Sequence, residues 1–290
     1  MHLIFKFIFF FCITAKVLGV GTRFLILPVG ADNLSTGNHA ALGGSANVNP
    51  ALLGTSRLIS SLSFDTGVWF SDTKISNLHY RGLFKSTNMK LLVRYAGITD
   101  LEFREETPSD NPESYYPAYG ISLEALLSQK LGEGSRVGFN FKRINFSIYD
   151  QSSTGFGVDL GYHRVFDNEL SLGASILNFG KISKLNKKAP SLPLMTLVGL
   201  SKHIKIKNIS CLSLVSTSYE IDSNIFSLSL ANKFLWEKFQ INVGAQKSGD
   251  TAAFSFGTGM NIANYNVFYA FQIGNQLIGV PQTFSIRIAL

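Results

Sequence analysis

The sequence has few charged residues, few cysteines and no long apolar run beyond its N-terminus, and each shortage excludes a class of protein. Only 16% of the 290 residues are charged, whereas a typical soluble domain has about 25%. Cys12 and Cys211 are the two cysteines, which is too few for a disulfide-stabilised scaffold. After residue 19 no apolar run reaches the roughly 20 residues of a membrane-spanning helix. A membrane protein that crosses without helices fits these shortages best.

The one strongly apolar run is the N-terminal stretch MHLIFKFIFFFCITAKVLG. Lys6 precedes the apolar residues 7–15, and small residues follow at the spacing that signal peptidase requires. We predict a secretory signal peptide at residues 1–19, cleaved after Gly19 or after Ala15. The alternative is an N-terminal membrane anchor, but the run is shorter than a spanning helix.

Positive charge is in excess, with a formal net charge of +7, but it is spread along the chain. No basic block alternates with aromatic residues, so we expect no nucleic-acid partner. Cys211 is expected to be a small strand residue and not a nucleophile.

Segments of about ten residues alternate with period two and are separated by clusters of Gly, Asn, Asp, Ser and Lys. In residues 155–163 the apolar set is Phe156, Val158, Leu160 and Tyr162, and the small or polar set is Gly157, Asp159, Gly161 and His163. The same alternation recurs at 169–178, 225–233, 240–246 and 265–274. It is typical of a transmembrane β-barrel with apolar residues towards lipid. A soluble β-sandwich would alternate likewise, but the signal peptide and low charge favour the barrel.

About 14 such segments follow one another, and we predict an all-β fold, a transmembrane antiparallel barrel. The strands are expected to start near residues 58, 75, 88, 116, 135, 153, 169, 192, 209, 224, 238, 251, 264 and 282. Lipid offers no partners for open backbone groups, so the last strand, in PQTFSIRIAL, should pair with the first. Barrels of this kind commonly end in an aromatic residue, whereas this chain ends in Leu290.

One segment changes phase. Its apolar residues are odd-numbered at first and then even-numbered: Val137, Phe139 and Phe141, then Ile144, Phe146 and Ile148. A one-residue slip turns every side chain to the other face of a strand. We therefore predict a β-bulge near Lys142 and Arg143.

Two polar interruptions predict long loops. Residues Arg104–Tyr119 form the longest one, which we expect outside the cell. Residues Lys181–Pro193 form a second, basic loop, where Pro190 and Pro193 exclude a continuous central strand.

Residues 20–56 do not alternate, and they are rich in glycine yet too apolar for a free tail. Short helical turns are expected there, with Asp32, Asn33 or Asn49 as caps and Pro50 at a first helical position. We predict that this segment is a plug inside a barrel made by residues 57–290.

The run FLILPVGADNLSTGN, followed by NVNPALLG, resembles the N-terminal signature of the PorV/PorQ family of outer-membrane proteins. STGFGVDLGYHRVFDNELSLGASILNFG and LPLMTLVGLSKHI are similar to later strands of that family. Asp32 stands where the family usually has Arg, and the stretch before Asn49 is shorter than usual. Candidate functional residues from this resemblance are Pro28, Gly30, Ala31, Asn33, Asn49 and Pro50.

The resemblance implies a FadL-like, 14-stranded barrel in the bacterial outer membrane that belongs to the type IX secretion system. PorV-like members receive cargo through its C-terminal domain and pass it to an attachment complex, and PorQ-like members sit in that complex. The implied partners are outer-membrane lipid and type IX partner proteins or cargo C-terminal domains. No cofactor is implied.

An enzyme would need a nucleophile, a base and an acid grouped together. Asp159 and His163 share one strand face, but a hydrogen bond in the lumen explains this pair better than catalysis does. No two histidines have metal-ligand spacing, so we expect no catalytic or metal site. Two functions stay open: docking in type IX secretion, or a FadL-like channel for hydrophobic small molecules. The channel predicts an apolar pocket under the plug and a lateral opening in the wall.

Overall fold

The computed structural model describes residues 21–42, 45–55, 60–85, 87–103, 111–275 and 279–290. The predicted signal peptide lies outside these residues, and so does the strand start expected near residue 58. Fourteen antiparallel strands form a closed barrel, which confirms the predicted fold class. Within the described ranges, none of the helices combines the length and the apolar character needed to span a membrane.

The strands follow one another around the barrel in chain order. They are β1 Ser61–Val68, β2 Lys74–Phe84, β3 Thr87–Phe103, β4 Ser114–Gly132, β5 Ser135–Ile148, β6 Gln151–Val165, β7 Leu170–Ile182, β8 Met195–Ile206, β9 Ile209–Glu220, β10 Ile225–Trp236, β11 Phe239–Ser248, β12 Thr251–Ile262, β13 Tyr265–Gly274 and β14 Gln282–Ala289. Each starts within about three residues of its predicted start, because alternation and turn residues mark strands well.

The barrel closes between its first and last strands. Strand β1 pairs with β14 from Ser61 opposite Ala289 to Val68 opposite Gln282. This pairing satisfies the backbone groups that an open edge would leave in lipid, and the expected closure is confirmed.

Side chains alternate across the wall as the sequence predicts. In β6, Leu160 is 52% exposed on the outer face, whereas its neighbour Asp159 is fully buried on the inner face. The outer face therefore presents an apolar band to lipid, and small or polar residues face the lumen.

The predicted β-bulge near Lys142 and Arg143 is wrong. Strand β5 pairs in unbroken register with both neighbours through these two residues. The phase change has another cause, because Ile144 and Phe146 face the lumen and pack in a buried apolar cluster with Phe24. Part of the lumen is apolar, so the inner face of β5 becomes apolar there without any slip.

A register shift occurs instead between β6 and β7. Val158 pairs with Phe179 and Leu160 pairs with Ile176, so two residues of β7 oppose the single residue between them. One of the two, Asn178, has a φ of 61°, a left-handed conformation that asparagine tolerates better than most residues. The bulge turns the Asn178 side chain into the lumen, where it is buried.

The two ends of the barrel differ in loop length. One end has short turns, such as 133–134 and 237–238, and the other has longer connections, such as 104–113 and 183–194. We call these the short-turn end and the long-loop end. Bacterial barrels keep short turns in the periplasm, so the long-loop end is expected outside the cell.

The two predicted long loops have different outcomes. Strand β4 already begins at Ser114, so the predicted loop Arg104–Tyr119 is too long at its C-terminal side. Pro117 of this predicted loop lies in the strand, at the register shift between β3 and β4. Regular backbone pairing is interrupted there, so the N–H that proline lacks costs no regular hydrogen bond with β3. Residues 104–110 lie outside the described part of the chain. The loop predicted at Lys181–Pro193 starts two residues too early, because β7 continues to Ile182, but it otherwise coincides with the 12 residues between β7 and β8.

The N-terminal segment, residues 21–42 and 45–55, lies inside the barrel. It contains a 3-10 helix Thr22–Ile26, the helix α1 Ala31–Thr36 and a second 3-10 helix Pro50–Gly54. Asn49 caps the second 3-10 helix through Oδ1, which accepts from the Ala51 backbone N–H at 3.0 Å, as predicted. Asp32 and Asn33 are not caps, because they lie within α1, which Gly30 precedes.

Candidate functional site

The N-terminal segment runs along the lumen from the long-loop end to the short-turn end. At the first end Arg23 makes two contacts with the Glu220 carboxylate, at 2.5 and 2.8 Å. At the other end Gly54 packs against the Arg136 guanidinium. The segment therefore spans the lumen, tied to the wall at both ends.

Glycines of the wall allow the segment to approach closely. A Cβ on Gly173 of β7 would lie 1.8 Å from the Ala40 carbonyl oxygen, and one on Gly138 of β5 would lie 2.2 Å from the Ala51 nitrogen. Inward glycines of β4, β6, β11 and β12 contact the segment in the same way. Any larger side chain at these positions would displace the segment.

The candidate residues Gly30 and Ala31 join α1 to the wall of the barrel. The Ala31 backbone N–H donates to Ser285 Oγ at 2.8 Å, and a Cβ on Gly30 would lie 2.5 Å from Asp65 Oδ1. Asn33 donates to Ser45 Oγ at 3.0 Å, which ties two parts of the segment together. Pro28 is half-buried in the connection before α1.

Asp32, which stands where the PorV/PorQ family usually has Arg, binds side chains of the barrel wall. Its carboxylate contacts Lys233 Nζ at 3.1 Å and accepts from Asn242 Nδ2 at 2.8 Å. Burial opposes its ionisation, but Lys233 and the Asn242 hydrogen bond outweigh that effect, so the pKa of Asp32 lies below its usual value. Asp32 therefore fixes α1 to β10 and β11.

Asn49 and Pro50 lie at the best-anchored point of the segment. Asn49 is fully buried, and its Nδ2 donates to the Ala40 carbonyl at 2.7 Å and to the Tyr162 carbonyl at 2.9 Å. Pro50 fits against the glycines of β5 and β6, Gly138 and Gly161. The two residues thus join the segment to itself and to the wall.

The lumen candidates Asp159 and His163 both face inwards, but they do not bind each other. Asp159 pairs with Lys142 at 2.8 Å and accepts from the Asn178 backbone N–H at 2.7 Å. His163 Nδ1 has no hydrogen-bond partner in the described part of the chain. No described group of three or more His, Cys, Asp or Glu is placed to hold a metal ion.

Asp159 belongs to a buried polar network across β3 to β7. Asn140 bridges Glu124 and Asp159 with two hydrogen bonds of 2.8 Å, and Arg94 contacts Glu124 at 3.2 Å. Arg94 also donates to the Leu25 carbonyl of the N-terminal segment at 2.7 Å. Sequence reasoning missed this network, because partners on different strands meet only through the register of the barrel.

An apolar cluster lies beside this network, towards the long-loop end. Phe24 and Leu25 of the N-terminal segment pack there with inward wall residues, including Ile144 and Phe146, and with Leu192 of the loop between β7 and β8. An apolar molecule would be stabilised by contact with these side chains.

The wall is interrupted next to this cluster. Pairing of β7 with β8 stops at Leu177 opposite Met195, although β7 continues to Ile182. A cleft of about 330 Å³ lies there, lined by residues 178–182 and by the following loop. Phe179 is 67% exposed on the outer side. We call this feature the wall gap.

Comparisons with known proteins place the fold. No family model matches the chain, and no curated protein matches its sequence. The toluene transporter TodX of Pseudomonas putida superposes with a TM-score of 0.62 at 11% identity, over 89% of this chain and 96% of TodX. The CymD monoaromatic hydrocarbon channel gives a TM-score of 0.62 at 12% identity, over 91% and 98%.

The outer-membrane protein Omp33 of Acinetobacter baumannii also superposes, with a TM-score of 0.50 at 7% identity over 80% of this chain and 98% of Omp33. At such identities the likeness concerns the fold. The chain has the fold of FadL-like outer-membrane β-barrels.

Proposed function

We propose that the chain is a non-catalytic channel that admits hydrophobic small molecules through the wall gap. This proposal is supported by two residues that the cleft and the buried apolar cluster have in common. Ile182 and Leu192 line the cleft and also belong to the cluster. An apolar molecule that enters from the lipid side passes Asn178, Lys181, Ser191 and Asp222 of the cleft as well as its apolar residues, and Ile182 and Leu192 then lead it to the cluster that contains Phe24. The likeness in fold to TodX, a toluene transporter, and to CymD, a monoaromatic hydrocarbon channel, supports this function.

Transport on this route requires the N-terminal segment to move. Arg23 and Arg94 hold its first residues through Glu220 and the Leu25 carbonyl. The hydrogen bonds of Arg23 and Arg94 keep Phe24 in contact with the apolar residues of the wall. A molecule that inserts between Phe24 and the wall would break these contacts. The wall gap is therefore the entrance, and the N-terminal segment is the barrier behind it.

Uptake of radiolabelled toluene and oleate by cells that carry the barrel tests this proposal. Ala189 is exposed and lines the cleft, so Ala189→Trp should fill the entrance and lower uptake towards that of cells without the barrel. Lys187→Trp is the matched control, because Lys187 is an exposed residue of the same loop outside the cleft lining. Uptake by the wild type no higher than by cells without the barrel would refute the channel.

A second candidate function is docking in type IX secretion, which the signature resemblance suggests. An aromatic cluster at the long-loop end favours it. The ring of Tyr149 stacks on that of Phe103, with 6.3 Å between ring centroids, and meets the ring of Tyr116 edge-on, with 5.6 Å between centroids. Phe103, Tyr115 and Tyr149 are exposed. Clustered exposed aromatic side chains are common anchors of protein interfaces.

The surface proteome of a deletion strain separates the two functions. Docking predicts that proteins with type IX C-terminal domains leave the cell surface or accumulate in the periplasm. An unchanged surface together with reduced hydrocarbon uptake would leave the channel as the function.

A further inference from the structure

The inner face of the barrel carries more positive than negative charge on one side. On β1 to β6 and β14, six buried or half-buried cations face the lumen, against three carboxylates. The cations are Arg81, Lys90, Arg94, Arg136, Lys142 and Arg287, and the carboxylates are those of Asp65, Glu124 and Asp159. An excess of like charge in a partly desolvated space is unfavourable unless counter-ions enter it.

Four of these cations gather near the short-turn end. Arg81 on β2 lies directly opposite Lys90 on β3. Arg287 on β14 contacts Ser63 at 3.4 Å, and Ser63 lies on β1, the strand between β14 and β2. Ser61, two residues before Ser63 on β1, lies opposite Arg81, and the charges of Arg287 and Arg136 act against that of Arg81. We call Arg81, Lys90, Arg136 and Arg287 the cationic cluster.

The carboxylates nearby are partly engaged. Glu124 binds Arg94, Ser122 and Asn140. Asp65 accepts from Ser285 at 2.5 Å through Oδ1, whereas its Oδ2 has no hydrogen-bond partner among the described residues. Both still attract Lys90, which is only 5% exposed.

Arg136 has one donor without a partner. Its Nη1 atom is buried and has no hydrogen-bond partner within the described residues. The Gly54 backbone and the Asn88 amide lie against it, so one edge of the guanidinium lies in a confined space at the lumen mouth. A buried donor without a partner is unfavourable, and an anion would supply the missing acceptor.

We propose that the cationic cluster is a binding site for a small anion with a carboxylate or phosphate group. Guanidinium groups present paired donors that match the oxygens of both groups, and Lys90 adds a point charge. The side chains face the lumen and not the lipid, so the ligand is a solute of the lumen and not a membrane headgroup. The site lies at the opposite end of the lumen from the wall gap and does not depend on hydrocarbon uptake.

Isothermal titration calorimetry of the full chain in a nonionic detergent, at low salt, tests this site. Sodium phosphate and sodium octanoate are the two probes. Arg136→Gln should weaken binding of the preferred probe at least about tenfold, because it removes a charge-assisted hydrogen bond. Arg143→Gln is the matched control, since Arg143 lies on the outer face of the same strand, over the Phe156 ring, and it should leave the affinity unchanged.

Arg136→Lys separates charge from a folding defect. It keeps the positive charge but not the paired donors, so its affinity should lie between those of the wild type and Arg136→Gln. Mobility of unheated samples in SDS gels shows whether each variant is folded. Binding of phosphate alone, of octanoate alone or of both supports the site and identifies the anion class. No binding by the wild type, or equal binding by folded Arg136→Gln, would overturn it, and neither result bears on the channel.

Discussion

Replacing Asn49 by alanine removes the side chain that holds the N-terminal segment in place. Asn49 Oδ1 accepts from the Ala51 N–H, and its Nδ2 donates to the carbonyls of Ala40 and Tyr162. The site is fully buried, so water cannot replace these partners without moving the segment. The strands do not depend on Asn49, and the barrel itself should stay closed.

The size of the effect follows from the groups left behind. Loss of a helix cap costs about 1 kcal/mol, and each buried group without a partner costs about 1–3 kcal/mol. The cap bond to the Ala51 N–H contributes about 1 kcal/mol, and the stranded carbonyls of Ala40 and Tyr162 about 1–3 kcal/mol each, so docking of the segment should weaken by at least about 3 kcal/mol. The undocked fraction should rise by a factor on the order of 100 or more.

Hydrogen exchange at residues 45–55, measured by mass spectrometry, reports this fraction directly. Asn47→Ala is the control, because Asn47 is half-buried on the same segment and makes one 3.2 Å bond to Asn33. We expect faster exchange for Asn49→Ala, with unchanged exchange in the strands. Equal exchange for the two variants would show that the Asn49 hydrogen bonds do not hold the segment.

Two further predictions concern the same segment. Gly173→Ala should displace residues near Ala40 and speed their exchange, because the new Cβ would lie 1.8 Å from a carbonyl oxygen, whereas Gly132→Ala has open space and should do nothing. Burial lowers the pKa of His39 to about 4, despite an opposing backbone interaction with Thr36, so acid should loosen the segment. The unfolded imidazole takes its proton near pH 6.5 and the buried one only near pH 4, so up to about 3 kcal/mol of docking stability is lost as pH falls through this window. Exchange at residues 38–42, corrected for the intrinsic effect of pH, should rise between pH 7 and pH 4.5, and His39→Phe should abolish the rise.

Much of the fold could be predicted because lipid imposes a simple rule on each strand. Where the outer face must be apolar, period-two alternation identifies both the strand and its orientation. The helical turn at Asn49-Pro50 could be predicted too, because its cap and its proline are local signals.

The contacts of the candidate site could not be predicted from the sequence, since they depend on which residues of neighbouring strands lie opposite one another. The network of Arg94, Glu124 and Asp159 joins positions far apart in the chain, and nothing in their local sequence distinguishes them from other lumen residues. The wall gap begins at the bulged residue Asn178, whose left-handed backbone is visible only in the structure. Pro117 misled the loop prediction, because a proline at a register shift is compatible with a strand.

Strand β5 shows how a single inner face carries both proposed sites. From the short-turn end to the long-loop end, its inward residues are Arg136, Gly138, Asn140, Lys142, Ile144 and Phe146. The series passes from the cationic cluster, through the contact with Pro50 and the polar network, to the apolar cluster beside the wall gap. A one-residue slip would instead turn Arg136 and Lys142 towards lipid, at about 2–4 kcal/mol for a charge near the midplane and about 0–1 kcal/mol for one near the interface, where Arg136 lies. The phase change in the sequence of β5 therefore reflects a lumen that changes from charged to apolar along the strand. The unbroken pairing of β5 with both neighbours keeps each of these residues on the inner face.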